Sequence, residues 1–345
     1  MVDSRKGARR RRQTGLIRGA LLTLLTLIVA LAAAAFWWLN QPLALAQETA
    51  EVSIESGTPV REIVRLWRDA GVQASPELLY QWFRLSGQSR RIKAGSYEID
   101  RGTTPRGLLD KMVRGDETLE TVRFIEGWTV RQMRAALAAA PHLRPATAAL
   151  SDAEMMAALG AASEAAEGRF FPDTYAYSRG VSDLTVLKRA HAALGRQLQA
   201  AWALRSADTP LAGPQDALIL ASVVEKETGR PADRGKVAGV FVNRLRLGMP
   251  LQSDPTVIYG MGASYDGTLR KADLLRDTPF NSYTRAGLPP TPIALPGRES
   301  LCAAARPEPT KALYFVARGD GSSAFSETLT DHNQAVNQYI RGPRK

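Results

Sequence analysis

Residues Asp216–Pro231 read DALILASVVEKETGRP. Eight apolar or small residues, Ala217 to Val224, run straight into Glu225, Lys226 and Glu227. Gly213-Pro214 ahead of them fits a helix start, with Asp216 in the first turn, where a negative charge is favoured. Gly229 and Pro231 mark the stop. A helix that is apolar on every face belongs in a core, so the segment predicts a core helix. Each residue advances the helix by about 100°. Glu225 therefore continues the face of Leu218, Ala221 and Ser222, and Glu227 that of Leu220, Val223 and Val224. The two carboxylates stand about 200° apart and cannot share one site. Desolvating one of them would raise its pKa. A carboxyl near about 6–7 is what a general acid needs to protonate an alkoxide leaving group. Solvated charges at the end of a surfacing helix are the plainer alternative. Periodicity alone does not choose between Glu225 and Glu227.

Downstream lies a second apolar helix, Val237 to Leu245, then a turn at Gly248-Met249-Pro250 leading into Gln252, Ser253, Asp254, Pro255, Thr256 and Tyr259. The stretch TPFNSYTRAGLPPTPIALPG, Thr278 to Gly297, holds five prolines and almost no periodicity. Loops of that length inside a compact domain are usually functional. Asn281, Ser282 and Tyr283 offer donors, acceptors and an aromatic face suited to sugar hydroxyls and acetamido groups; a proline-stiffened connector is the alternative. Gly319–Ser323, GDGSS, sits between strand-like runs and reads as a hairpin turn rather than a phosphate loop.

Upstream, a strand at EVSI is followed by the helix TPVREIVRLWRDAGV, with Val60, Ile63, Val64 and Trp67 at helical spacing, Thr58 as its N-cap and Gly71 as its stop. A second helix carries Leu78, Leu79, Trp82 and Phe83, and a strand signal surrounds Gly95. A short helix ends at Gly115. Thr121 to Met133 reads as strand, turn and helix start. Residues 134–165 are Ala-rich and helical, broken at APHLRP, and an amphipathic helix runs from Leu184 to about Leu204. No repeat of 20–50 residues is visible, which excludes a solenoid.

The 345 residues carry a net charge of +11. Residues 1–18 hold Arg5, Lys6, Arg9, Arg10, Arg11, Arg12 and Arg18 against Asp3, a net +6, which leaves +5 for the rest. That mildly basic remainder suits an anionic polymer without identifying one. Next comes GALLTLLTLIVALAAAAFWWL, Gly19 to Leu39, 21 residues without a charge. At 1.5 Å per residue it covers a hydrocarbon core about 30 Å thick, with Phe36, Trp37 and Trp38 at its far end, where rings favour the headgroups. The pattern predicts an uncleaved membrane anchor with a cytoplasmic N-terminus and a translocated C-terminal bulk. A cleaved signal peptide ending at Ala44–Ala46 is the alternative, although the apolar run exceeds a signal h-region. Beside such a span, a nucleic-acid arm is not expected. Cys302 is the single cysteine, so no intrachain disulfide can form. His142, His191 and His332 are scattered without ligand spacing, so a metal site is not expected.

Two resemblances sharpen these readings. GTPVREIV and IKAGSYEI, in a β-α-α-β order, resemble a LysM domain, a module that binds N-acetylglucosamine polymers; bracing the enzyme domain is the alternative role. The ordered set LASVVEKETG, VAGVFVNRLRLGMPLQSDPTVIYG, FNSYTRAGLPPTPIALPG and LYFVARGDGSSAFSETLTDHN, with FFPDTY at Phe170–Tyr175, resembles the YceG/MltG-like endolytic murein transglycosylases over roughly residues 50–340. Two departures, Ser253 where Thr is usual and Thr291 where Gly is common, fall in the expected groove.

The resemblance implies an α+β chain: a basic arm at 1–18, an anchor at 19–39, a linker at 40–50, a small LysM-like domain at 51–120 and a larger mixed α/β catalytic domain at 121–345. It implies Glu225 as the single catalytic acid/base, cleaving the β-1,4 bond between N-acetylmuramic acid and N-acetylglucosamine in nascent glycan strands. In such enzymes the muramyl 6-hydroxyl attacks intramolecularly and leaves a 1,6-anhydro end, so the resemblance implies no second carboxylate, no metal and no cofactor. Gln252, Ser253, Asn281 and Tyr283 are expected to orient the sugar, with Glu227 structural or supporting. Peptidoglycan strands are the implied partner, with penicillin-binding-protein synthases alongside. A non-catalytic wall-binding scaffold is the rival reading. A hydrolase is a third, and would need Asp254 as its second carboxylate.

Overall fold

The computed structural model describes the backbone of residues 4–55 and 57–342, and the side chains of residues 21–55 and 57–342. The side chains of the basic arm lie outside the described residues. The chain divides into two compact units, Met1–Leu119 and Glu120–Lys345.

The first unit begins with α1, Ser4–Leu39. Within it, Leu21–Leu39 is long and apolar enough to cross a membrane, with a mean hydropathy of 2.2 and no burial against the protein. Then follow β1 (Thr49–Ile54), α2 (Val60–Asp69), α3 (Pro76–Leu85), β2 (Gly95–Asp100) and α4 (Pro105–Arg114). β1 and β2 pair antiparallel, from Thr49 opposite Asp100 to Ile54 opposite Gly95. The alternation of β1 turns Ala50, Val52 and Ile54 inward, onto a core of Ile63, Val64, Trp67, Phe83, Tyr97 and Leu108. The expected cap of α2 is corrected. Pro59 occupies the N-cap with no side-chain bond, and the Thr58 hydroxyl instead donates to the Glu55 carbonyl at 2.8 Å. α4 follows its sequence signals: Thr104 caps it, and Gly115 closes it at φ 73°, a left-handed conformation that glycine adopts at little cost.

The second unit runs β3 (Leu119–Arg123), α5 (Val130–Ala139), α6 (Asp152–Ala158), β4 (Thr174–Ser178), α7 (Asp183–Ala203), α8 (Pro214–Glu227), α9 (Pro231–Arg246), α10 (Asp254–Met261), α11 (Lys271–Leu275), α12 (Arg298–Ala305), β5 (Tyr314–Ala317), β6 (Ser323–Ser326) and α13 (Leu329–Val336). Among the described residues the strands form three two-stranded sheets, β1-β2, β3-β4 and β5-β6, so the architecture is mixed α and β without a central sheet. One core gathers β3, β4, α5, α6 and the first half of α7 around Phe124, Met133, Phe170 and Leu187. The other packs α8 against α7, α9 and α12. All eight residues from Ala217 to Val224 are buried, as expected of a helix with no polar face. α9 begins at Pro231, six residues before its apolar run, because Asp233 and Arg234 are buried with it. Thr278–Gly297 contains neither helix nor strand. It is fastened to α8 by the Ile293 N–H, which donates to the Ser222 hydroxyl at 3.0 Å.

Candidate functional site

The end of α8 carries two carboxylates into two different surroundings. Glu225 is held from both sides. Its Oε2 accepts the Gly297 N–H at 2.9 Å, and its Oε1 meets Arg234 Nη2 at 3.4 Å. The Glu225 side chain is 6% exposed, and Arg234, at 8%, also pairs with Glu299. Both oxygens of Glu225 are thus committed to pinning the end of the proline-rich loop and the start of α9. Lys226, between the two acids, donates to the Gly127 carbonyl at 3.2 Å.

Glu227 turns the other way, as two helical residues must, into a cavity of about 440 Å³. Its neighbours there include Arg244, Gln252, Asp254, Tyr283, Tyr314 and His332. The Ser253 hydroxyl donates to Glu227 Oε1 at 2.5 Å. Burial pushes the Glu227 carboxyl up to about 7; the Ser253 bond and the Arg244 charge oppose this, and the Asp254 charge adds to it. A carboxyl with that pKa is partly protonated at neutral pH. It can give a proton to a leaving oxygen and take one back as a carboxylate.

Arg244 organises the floor of the cavity. It is buried on α9 and donates to the carbonyls of Leu313 (2.7 Å), Pro250 (3.1 Å) and Leu251 (3.0 Å), and to Gln252 Oε1 (3.2 Å). The loop it gathers contains Gln252 at φ 54°, a left-handed conformation uncommon for a residue with a side chain. Such backbone is sustained where surrounding contacts over-determine it. Here the contacts are Arg244 on the side chain and the Gln252 N–H donating to the Ser282 carbonyl at 2.9 Å.

The sequence-picked residues separate accordingly. Gln252 and Tyr283 line the cavity with Glu227, and Tyr283 donates its hydroxyl to Asp254 Oδ1 at 2.5 Å. Ser253 is buried and its hydroxyl donates to Glu227, which orients the carboxylate. Asn281 lies outside this lining. Its amide donates to the carbonyls of Asp273, Leu274 and Arg276, and its Oδ1 accepts the Tyr283 N–H at 2.8 Å. It is buried, and these bonds clamp the loop. Glu227, expected as the supporting carboxylate, lines the cavity, whereas Glu225, expected as the acid/base, lies outside this lining on the Gly297 N–H and Arg234.

Sequence reasoning passed over Arg244, Tyr314, His332 and Glu167. Arg244 follows an apolar run at a position where a surface arginine would also fit, and Tyr314 and His332 reach the cavity only through the fold. Glu167 is half-buried, accepts the Val130 N–H at 3.0 Å and the Tyr259 hydroxyl at 3.2 Å, and is pushed up to about 7 by desolvation. It ties α5 to α10 and does not line the cavity of Glu227.

This geometry can be set beside known proteins. The Bacillus subtilis protein named endolytic murein transglycosylase is 30% identical over 309 residues, covering 85% of each chain. Its namesake in Streptococcus pneumoniae strain D39 is 25% identical over 323 residues, which is 84% of this chain and 58% of that protein. A solved Listeria monocytogenes structure, described as a yceG-like protein, aligns with a TM-score of 0.54 and 28% identity over 83% of this chain and 98% of its own. The match to the YceG-like family extends over residues 52–338, and the chain belongs to that family.

Proposed function

We propose that the protein is a membrane-anchored endolytic murein transglycosylase in which Glu227 is the single acid/base. One observation carries the assignment: Glu227 lines a cavity, desolvated and hydrogen-bonded by Ser253, whereas both oxygens of Glu225 are engaged by Gly297 and Arg234. The names of the similar Bacillus and Streptococcus proteins supply the substrate class, peptidoglycan.

In the proposed reaction, protonated Glu227 gives its proton to the glycosidic oxygen that leaves N-acetylmuramic acid. The anomeric carbon becomes oxocarbenium-like, and the muramyl 6-hydroxyl of the same residue attacks it. The Glu227 carboxylate removes the proton of that hydroxyl and returns to its starting state. The bond broken is C1–O4′, the bond formed is C1–O6, and no water is consumed. Holding the hydroxyl on the reacting sugar supplies a high effective molarity, so the site has no need of a second carboxylate as nucleophile or base. Ser253 orients Glu227, Arg244 keeps its pKa from rising further, and Gln252 and Tyr283 face the sugars. Asp254, the other carboxylate of the lining, is engaged by Tyr283; a hydrolase would have to free it.

The Leu21–Leu39 segment supports an inner-membrane anchor with the basic arm on the cytoplasmic side and the catalytic unit in the periplasm. The β1-α2-α3-β2 order of the first unit supports a LysM-like module that holds glycan near the membrane. Cleavage there would terminate strands as penicillin-binding-protein synthases extend them. The test is to digest sacculi with the purified protein and weigh the soluble fragments by mass spectrometry. Transglycosylation leaves 1,6-anhydro ends, each 18 mass units (about one water) lighter than the reducing ends that hydrolysis would leave. Reducing ends would replace this reading with a hydrolase, and intact sacculi with a non-catalytic scaffold.

A further inference from the structure

The cavity of Glu227 has a wall that the proposed chemistry has not used. β5 contributes Tyr314 and Phe315 to it, and α13 contributes Leu329, His332 and Asn333. Thr328 caps α13 by accepting the Asp331 N–H at 3.2 Å, and its carbonyl accepts the His332 N–H at 3.0 Å, so the first turn that carries His332 is fixed. The imidazole stacks on Tyr314, with ring centroids 5.2 Å apart and planes 24° from parallel. Tyr314 also has Arg244 over its ring, at 5.1 Å from the centroid.

His332 Nδ1 is buried and has no hydrogen-bond partner among the described residues. A buried nitrogen left unmatched costs free energy, and such atoms are rare enough to need an explanation. Phenylalanine would make the same stack without that cost. A half-turn about Cβ–Cγ exchanges the positions of Nδ1 and Cδ2 while keeping the ring in its plane against Tyr314, so the stack fixes the plane of the ring but not which edge each nitrogen occupies. Burial and the Arg244 charge hold the imidazole below the usual histidine range. At neutral pH it is therefore uncharged, with one nitrogen donating and the other accepting. An uncharged ring also avoids adding a cation that would ionise Glu227.

We propose that His332 is a substrate-contacting residue, which hydrogen-bonds a hydroxyl or acetamido group of an N-acetylated glycan through a ring nitrogen while Tyr314 holds the ring plane. The inference deepens the glycan reading of the cavity and rests on it.

Two arms test it, both on the full-length protein in detergent. In the first, Glu227→Gln protein with 13C-labelled histidine is titrated with uncrosslinked murein strands, and the three histidine signals are assigned with His332→Phe. The His332 signal is expected to move on addition while those of His142 and His191 stay; an unmoved His332 signal overturns the proposal. In the second, turnover is compared for His332→Phe, which keeps the stack without a nitrogen, and His332→Gln, which restores a polar group. The expected result is a fall in kcat/KM of at least about tenfold for Phe, carried mainly by KM, and a return to within about threefold of wild type for Gln. Wild-type kinetics in a folded His332→Phe protein would overturn the contact. If the wild-type protein cleaves nothing, the transglycosylase reading fails, and the titration still decides whether His332 touches glycan.

Discussion

Glu227→Gln should make the protein more stable at alkaline pH while removing its activity. The Glu227 carboxyl is raised from an ordinary 4.5 to about 7, chiefly by burial. Because the folded-state value lies above the unfolded one, its contribution to stability is fully present below about 4.5 and is lost as pH rises through about 7. A rise of about 2.5 in pKa, at about 1.36 kcal/mol each, amounts to about 3 kcal/mol. Wild type should lose that amount between pH 4.5 and pH 8 from this residue. Glutamine, which does not titrate and can still accept from Ser253, should not. The assay is hydrogen exchange of the α8 amides from Leu218 to Val224, comparing variant with wild type at each pH so that intrinsic exchange and other groups, including Glu167, cancel. The variant's protection should gain roughly 10²-fold on wild type between pH 4.5 and pH 8. Parallel protection across that range would mean that Glu227 is not desolvated, and the acid/base reasoning would fall with it.

Ser253→Ala removes a hydrogen bond that favours the charged form of Glu227, so the alkaline limb of the pH–rate profile should move up by about one pH unit. A limb that stays in place or moves down would contradict the assigned contact. Glu225→Gln keeps an acceptor for the Gly297 N–H and leaves Arg234 paired with Glu299, so denaturant titration should register a loss of about 1–3 kcal/mol. Gly168→Ala should be costlier in melting experiments. The residue sits at φ +76°, and an added Cβ would lie 2.4 Å from Pro292 Cβ, which puts the loss at about 3 kcal/mol.

What the sequence disclosed was what local periodicity controls. The uninterrupted run from Ala217 to Val224 gave the buried core helix, and the 200° between Glu225 and Glu227 anticipated their separate partners. Which carboxylate faces the cavity depends on where residues 250–254 and α13 come to lie, and helical phase carries no information about that. The place of Asn281 was not legible for a physical reason: an asparagine in a loop suits a sugar, yet the same amide can satisfy three backbone carbonyls that a structureless loop leaves bare. Arg244 was hidden because a buried arginine and a solvated one look alike until its acceptors, carbonyls distant in sequence, are in place. His332 offered no pattern at all, being one of three scattered histidines, and its meaning depends on the stack with Tyr314.

The most direct test of the central claim is turnover of uncrosslinked murein strands at pH 7 by Glu227→Gln and Glu225→Gln, side by side with wild type. If Glu227 is the acid/base, its glutamine variant loses at least about 100-fold in kcat, while Glu225→Gln, once corrected for its folded fraction, keeps most of its activity. A dead Glu225→Gln beside an active Glu227→Gln would contradict the account.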